Sequence, residues 1–341
     1  MRKLLLLLLG IVLLPGCTGK GRYVQISGYA QGGTYTVKLN MEGVRVPVEE
    51  VRDSIDALLR QIDTTLSGYN KNSLLSRFNA GERVPATQMF MDMYRMAYSY
   101  WERSGGRVDC AAAPLYDAWG FGFKNSSFPA EKEVKALLAA GGMDRLPSSL
   151  PVEEGFVNPD ALGYPRLNYN AIAQGYSCDV IAAYLYRLGV KDMLVDIGEI
   201  WCDGLNPSGQ PWSVGVDRPV DQPSDQPSRE LEGVWSSGGL PGGVVTSGNY
   251  RKFYIREGRK YAHTVDPLTG YPVTHNLLSA TVISSESAAD ADAVATWCMV
   301  VGLEEARKII QENPALEGFL IYEAPDGTLH EWSSKGFTLK Q

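Results

Sequence analysis

The sequence predicts an α+β protein with largely antiparallel sheets, and three observations carry that prediction. Short stretches with period-two alternation recur along the 341-residue chain, as strands with one buried face require. Several of them adjoin one another across a Gly-rich or Asp-Gly turn, the mark of hairpins. Helical-period stretches lie among these hairpins without strict strand–helix–strand alternation, which argues against a parallel sheet.

From the N-terminus, residues 1–17 read MRKLLLLLLGIVLLPGC. Arg2 and Lys3 precede the apolar run Leu4–Leu14, which is too short to span a bilayer comfortably and matches an export signal. Leu14-Pro15-Gly16-Cys17 closes the run and resembles a bacterial lipobox, in which the cysteine is acylated and becomes the first residue. The alternatives are an ordinary signal peptide or an uncleaved anchor. On the lipobox reading, acyl chains on Cys17 hold the protein to a membrane. The expected location is then outside the cytoplasm, on the periplasmic side of the inner membrane where a cell has an outer membrane. Residues 18–27 form a tether and the first strand, and 28–341 a single domain.

Residues 22–40 alternate through Tyr23, Val24 and Ile26, and again through Tyr35, Val37 and Leu39, around Gly28–Gly33: two strands and a turn. After Pro47, residues Val48, Val51, Ile55, Leu58, Leu59 and Ile62 recur at helical spacing. A helix over 87–103 places Met89, Met93, Met96 and Tyr100 on its core face and stops at Gly105-Gly106. Another spans 130–140. A longer one, 172–188, turns Ile172, Tyr176, Val180, Ala183 and Leu188 inward. Strands follow at 191–197, 212–217, 231–236, 243–247, 252–256, 260–265 and 278–284. The Pro/Ser/Asp-rich stretch 219–230 reads as a surface loop between two of them. Helices cover 289–301 and 303–312, and a hairpin at 318–333 turns on Asp326-Gly327.

A net charge of −7 and the lack of any Lys/Arg cluster exclude a nucleic-acid partner, since phosphate backbones require basic clusters. A phosphate-bearing ligand would be met through a metal. Cys110, Cys178, Cys202 and Cys298 match no zinc spacing. They read as buried free thiols, although an exported chain can oxidise such residues.

Six stretches carry chemistry. Asp292 and Thr296 are four apart on a predicted helix and share a face; a carboxylate with a hydroxyl suits Mg²⁺, and the same pattern also occurs in ordinary helix capping. His263 stands three residues before Asp266 in HTVDPLTGYP, where it suits a general base at the edge of a turn. The turn at Thr246-Ser247-Gly248 either offers N–H groups and hydroxyls to phosphate oxygens or simply ends a strand. Tyr69 has a ring free to stack on a planar group, and Asn72 or Ser73 caps the helix after it. Arg107-Val108-Asp109 leads into the Gly/aromatic stretch 114–122, which walls a flat ligand or simply packs. Finally, the chain from Asn168 to Tyr176 enters a helix whose positive end suits a pyrophosphate.

The order of these motifs is more specific than any one of them. LSGYxxxSLLSRFN, GRVDxxxxPLYDAWGFG, NAIAQGYSxD, VVTSGNYR, HTVDPLTGYP and ADAVAT succeed one another over most of the chain. This resembles the ApbE family of FAD:protein FMN transferases, from about Gly28 to Gly302. The resemblance implies a fold of the tunnelling kind and Mg²⁺-dependent transfer of FMN from FAD to a Thr or Ser hydroxyl of an acceptor protein, with release of AMP. It implies a metal held by Asp292, Thr296 and a main-chain carbonyl at Ala171, and a catalytic His263. Flavin and adenine contacts fall near Gly32, Tyr69, Arg107, Val108, Asp109, Asn168, Gln174 and Val245, beside Thr246 and Ser247. Acceptors of the family suggest a membrane redox-pump subunit. Two other readings use the same site: an FAD pyrophosphatase with water as nucleophile, and a non-catalytic FAD-binding lipoprotein. The chain departs from the family pattern at Asn168-Tyr169-Asn170, where Asp-Leu-Gly is usual, at Gln174, where Lys or Glu is usual, and at Cys110–Ala113.

Overall fold

The computed structural model describes residues 22–122, 128–219, 230–249, 253–256 and 259–340. The export-signal segment with Cys17 and most of the 219–230 loop lie outside the described residues. The chain opens with the hairpin β1 (Tyr23–Ala30) and β2 (Gly33–Asn40), then α1 (Val48–Leu66), α2 (Leu74–Asn79), β3 (Val84–Pro85), α3 (Gln88–Arg103), α4 (Ala113–Ala118), α5 (Glu131–Ala140) and β4 (Phe156–Val157). It continues with α6 (Ala173–Arg187), β5 (Met193–Asp196), β6 (Ile200–Asp203), β7 (Ser213–Asp217), β8 (Leu231–Ser236), β9 (Gly242–Gly248), β10 (Phe253–Arg256) and β11 (Arg259–Ala262). It closes with β12 (Leu277–Ser284), α7 (Ala288–Val301), α8 (Leu303–Glu312), β13 (Leu316–Glu323), β14 (Leu329–Ser333) and β15 (Leu339–Lys340).

The main sheet runs β1-β2-β5-β6-β9-β12-β13-β14, and every neighbouring pair in it is antiparallel. The expected α+β class with antiparallel sheets is therefore what the chain forms. Alternation in β2 buries Tyr35, Val37 and Leu39 against α1, α3 and α6. Further along, β12 is buried on both faces. Helices α7 and α8 cover one face through Ala291, Val294, Ala295 and Ile310. The small sheet β15-β8-β7 covers the other, with Trp212, Trp235 and Phe337 packing on Ile283, Phe319 and Ile321. A strand buried on both sides carries no alternation to read.

Helix α7 is buried almost all round, which its run of alanines permits. Small residues let it approach closely: a Cβ on Gly243 of β9 would sit 2.4 Å from Ala288 Cα, and one on Gly175 of α6 would sit 2.2 Å from Ala288 O. Gly175→Ala is accordingly expected to destabilise the fold by about 1–3 kcal/mol through overpacking against rigid backbone, measured by chemical denaturation. An unchanged midpoint would mean the two helices separate freely.

Several sequence expectations shift in register or kind. The core face of α3 is Phe90, Met93, Tyr94, Ala97 and Tyr100, with Met89 and Met96 only partly buried at its margin. In α6 the buried stripe is Gly175, Ser177, Cys178, Ile181, Ala182 and Leu185, whereas Ala183 is exposed. Ile172 is buried as expected, and Tyr176, Val180 and Leu188 pack partly buried against the same core; Gly175 is buried because it meets Ala288 of α7. The start of the 114–122 stretch lies in the short helix α4, Ala113–Ala118. Thr246 and Ser247 belong to strand β9 rather than a turn. The four cysteines are buried free thiols.

Candidate active site

The chain before α6 folds on its own side chains. Asn168 N–H donates to the Cys110 carbonyl at 2.7 Å, and Asn168 Oδ1 accepts from Asn170 N–H at 2.9 Å. An aspartate could close this turn equally well, so the departure at 168 removes charge and keeps shape. The start of α6 offers fewer unpaired donors than the sequence suggested. Ala173 N–H donates to the Tyr169 carbonyl, and Gly175 N–H donates 3.1 Å to Asp292 Oδ2. Gln174 extends its Nε2 to the Ile197 carbonyl at 3.3 Å. It thereby pins the start of α6 to the β5–β6 turn, a bond that glutamate could not donate.

Two further expected residues come to this same place. Tyr69 is exposed, and its hydroxyl accepts from Asn170 Nδ2 at 3.2 Å. The β1–β2 turn, with φ of +52° at Gln31 and +80° at Gly32, lies over α6 because Gln31 Nε2 donates to Ser177 Oγ. At Gly32 the left-handed backbone favours glycine.

Asp292 lies on α7, 5% exposed. No Lys, Arg or His pairs with it among the described residues, and the Gly175 N–H is its one bond there. Burial pushes its pKa up to about 7; the neighbouring Asp179 acts in the same direction and the Gly175 N–H opposes it. Buried carboxylates are otherwise paired or bound to metal, so the donor chemistry here fits a cation. Thr296 follows one turn later on the same face. No group of three or more His, Cys, Asp or Glu side chains gathers among the described residues. A set of one carboxylate, one hydroxyl and a main-chain oxygen is a different kind of site, made of hard oxygen donors such as Mg²⁺ prefers.

The His263 turn is braced from several sides. Gly270 N–H donates to the Asp266 carbonyl at 2.8 Å, and Leu268 N–H to Asp266 Oδ1 at 3.0 Å. Arg107 Nη1 donates to Asp266 Oδ2 at 2.8 Å. Trp119 Nε1 donates to the Gly270 carbonyl at 2.8 Å, and the Phe121 ring meets His263 edge-on at 6.4 Å between centroids. Both oxygens of Asp266 are thus engaged in shaping the turn and holding Arg107. The turn's own N–H groups and Arg107 thus share this carboxylate.

Residues 107–110 join the two halves. Arg107 bonds to the His263 turn, and Cys110 O accepts from the Asn168 loop that leads into α6 and Asp292. Val108 is buried, and Asp109 Oδ1 accepts from Ala111 N–H at 2.8 Å while its two oxygens share Met143 N–H. Burial pushes the Asp109 pKa up to about 6 against these bonds. Both residues hold the segment in place. Val245 packs in the core beneath α7, and Thr246 Oγ1 shares a hydrogen with Thr281 Oγ1 at 2.9 Å. The side chain with no assigned role in the sequence reading is Asp179, which accepts from Ala288 and Ala289 N–H. Its only sequence signal is its place at the end of NAIAQGYSxD.

An antiparallel α+β domain that holds a buried carboxyl at a helix crossing, linked through one segment to a histidine-bearing turn, has the makings of a group-transfer enzyme. Residues 31–320 match the ApbE family, and the chain belongs to that family. It is 31% identical over 345 residues to the FAD:protein FMN transferase of Vibrio cholerae, covering 99% of this chain and 98% of that one. Among solved structures, the apo flavinyl transferase ApbE of Pseudomonas stutzeri aligns with TM-score 0.78 and 30% identity over 92% of this chain and 95% of that one. The flavin transferase ApbE of Vibrio cholerae aligns with TM-score 0.77 and 29% identity over 92% and 98%.

Proposed function

We propose that this protein transfers the FMN portion of FAD to a Thr or Ser hydroxyl of an acceptor protein, releasing AMP. Membership of the ApbE family and near full-length likeness to proteins named for this reaction support the reading. In the step, the acceptor oxygen attacks the phosphorus of the FMN half. The bond from that phosphorus to the oxygen bridging the diphosphate breaks, and AMP leaves with the electron pair. The hydroxyl proton passes to a ring nitrogen of His263, because an alcohol is a weak nucleophile without a base. Arg107 and Trp119 hold the turn that carries this histidine, and Tyr69 offers its exposed ring to a planar group.

Asp292, Thr296 and the main-chain carbonyl of Ala171 would hold Mg²⁺. A bound Mg²⁺ supplies charge neutralisation for the diphosphate as AMP departs. The observation that carries this part is the buried Asp292 carboxyl, which no Lys, Arg or His pairs among the described residues. Fluorescent labelling of an acceptor by FAD and Mg²⁺ tests the reaction, and absence of labelling by FAD-loaded protein would refute it. A redox-pump subunit at the membrane is the acceptor proposed, consistent with a lipid anchor on Cys17. Cys17→Ser is expected to shift the protein from the membrane to the soluble fraction; a variant still sedimenting with membranes would overturn the anchor.

A further inference from the structure

We propose that Asp179 is a positioning residue for metal binding: it seats the first turn of α7 on α6 and thereby sets where Asp292 and Thr296 stand relative to the chain before α6. The inference rests on the Mg²⁺ reading above.

The opening N–H groups of a helix have no partner within it. In α7, Ser287 Oγ accepts from Asp290 N–H at 2.9 Å. The N–H groups of Ala288 and Ala289 are met from another helix, by Asp179 Oδ1 at 2.7 Å and Oδ2 at 2.9 Å. Gly175 lies one turn before Asp179 on the same face of α6. Its N–H holds Asp292 Oδ2, and it leaves no room for a Cβ beside Ala288 O. Three hydrogen bonds between the 175–179 face and residues 288–292 therefore fix how the helices cross. Because a helix moves as one element, Thr296 is carried with its first turn.

The other acid near this start is committed elsewhere. Asp290 accepts from Arg103 Nη1 at 2.9 Å and from Ser284 Oγ at 2.8 Å, which ties α7 to α3 and β12. Asp179 is thus the side chain that registers α7 against the segment expected to supply the main-chain ligand. An outer residue of this kind acts on metal affinity through the ligands it orients.

The test uses the full chain and Mn²⁺ as a spectroscopic probe, with free metal counted by electron paramagnetic resonance. Asp179→Ala should weaken Mn²⁺ binding by about 10–100-fold. Asp179→Asn, which keeps one acceptor, should fall between it and the parent, with kcat at saturating metal little changed. Amide exchange at Ala288 and Ala289 should quicken in the metal-free variants. Should Asp179→Ala fail to fold, Asp179→Asn decides alone. A variant that loses thermal stability but binds Mn²⁺ as the parent does overturns the proposal, as does unchanged exchange at 288–289. If Asp292→Asn also binds Mn²⁺ like the parent, the metal reading itself is wrong and the proposal falls with it.

Discussion

His263→Ala should lower the rate of FMN transfer by about 10²–10⁴-fold, the usual cost of losing a positioned general base, while FAD affinity stays near that of the parent. The histidine sits on a turn that Asp266, Arg107 and Trp119 brace through hydrogen bonds made without its ring. Those bonds remain when the imidazole is removed, so the loss is expected in chemistry more than in FAD binding. Single-turnover measurement of acceptor labelling, paired with FAD binding by fluorescence, separates chemistry from binding. A loss confined to FAD affinity would make His263 a ligand contact and not a base.

Asp292→Asn should reduce transfer by on the order of 10²–10³-fold at millimolar Mg²⁺, as expected for removing a central electrostatic element of the site. It should act on stability with the opposite sign. The folded-state pKa of Asp292 is raised from 3.8 to about 7, so the metal-free fold favours the protonated form. The associated stability is fully present below the unfolded pKa and is lost as pH rises through about 7. Metal-free parent protein should therefore lose thermal stability between pH 5 and 8 more steeply than Asp292→Asn, which has no charge to bury. Mg²⁺ should restore the parent at pH 8 and leave the variant unmoved. Parallel melting curves across this range would contradict the account.

Much of this was readable from spacing alone. The β1–β2 hairpin, α1, α5, the α7–α8 pair and the Asp326-Gly327 hairpin follow patterns with local causes, as do the Ser73 cap and the turn at Asp266. Helix α6 is legible, with Ile172 buried and Tyr176, Val180 and Leu188 partly buried, but its small and polar buried residues are not. Gly175 is buried because α7 comes close, Ser177 lies under the β1–β2 turn and Cys178 against the Glu199 carbonyl, and no apolar stripe announces such contacts. Strand β6 leaves no pattern, because Ile200–Asp203 is short and its two inner residues, Trp201 and Cys202, are both buried. In the site, the spacing of Asp292 and Thr296 and the His263 turn were visible. The bonds that assemble them were not. Arg107 to Asp266 spans 159 residues, Asp292 to Gly175 spans 117, and Asp179 to Ala288 spans 109, and no local pattern encodes pairings at that range.

The most direct test of the account measures AMP release and acceptor-bound flavin together, in full-length protein with FAD and acceptor, with Mg²⁺ or with a chelator, for the parent and Asp292→Asn. Equimolar AMP and bound FMN are expected in the parent with Mg²⁺, and little of either when the metal or the carboxylate is removed. Acceptor labelling at an undiminished rate in chelator, or in Asp292→Asn, would contradict it.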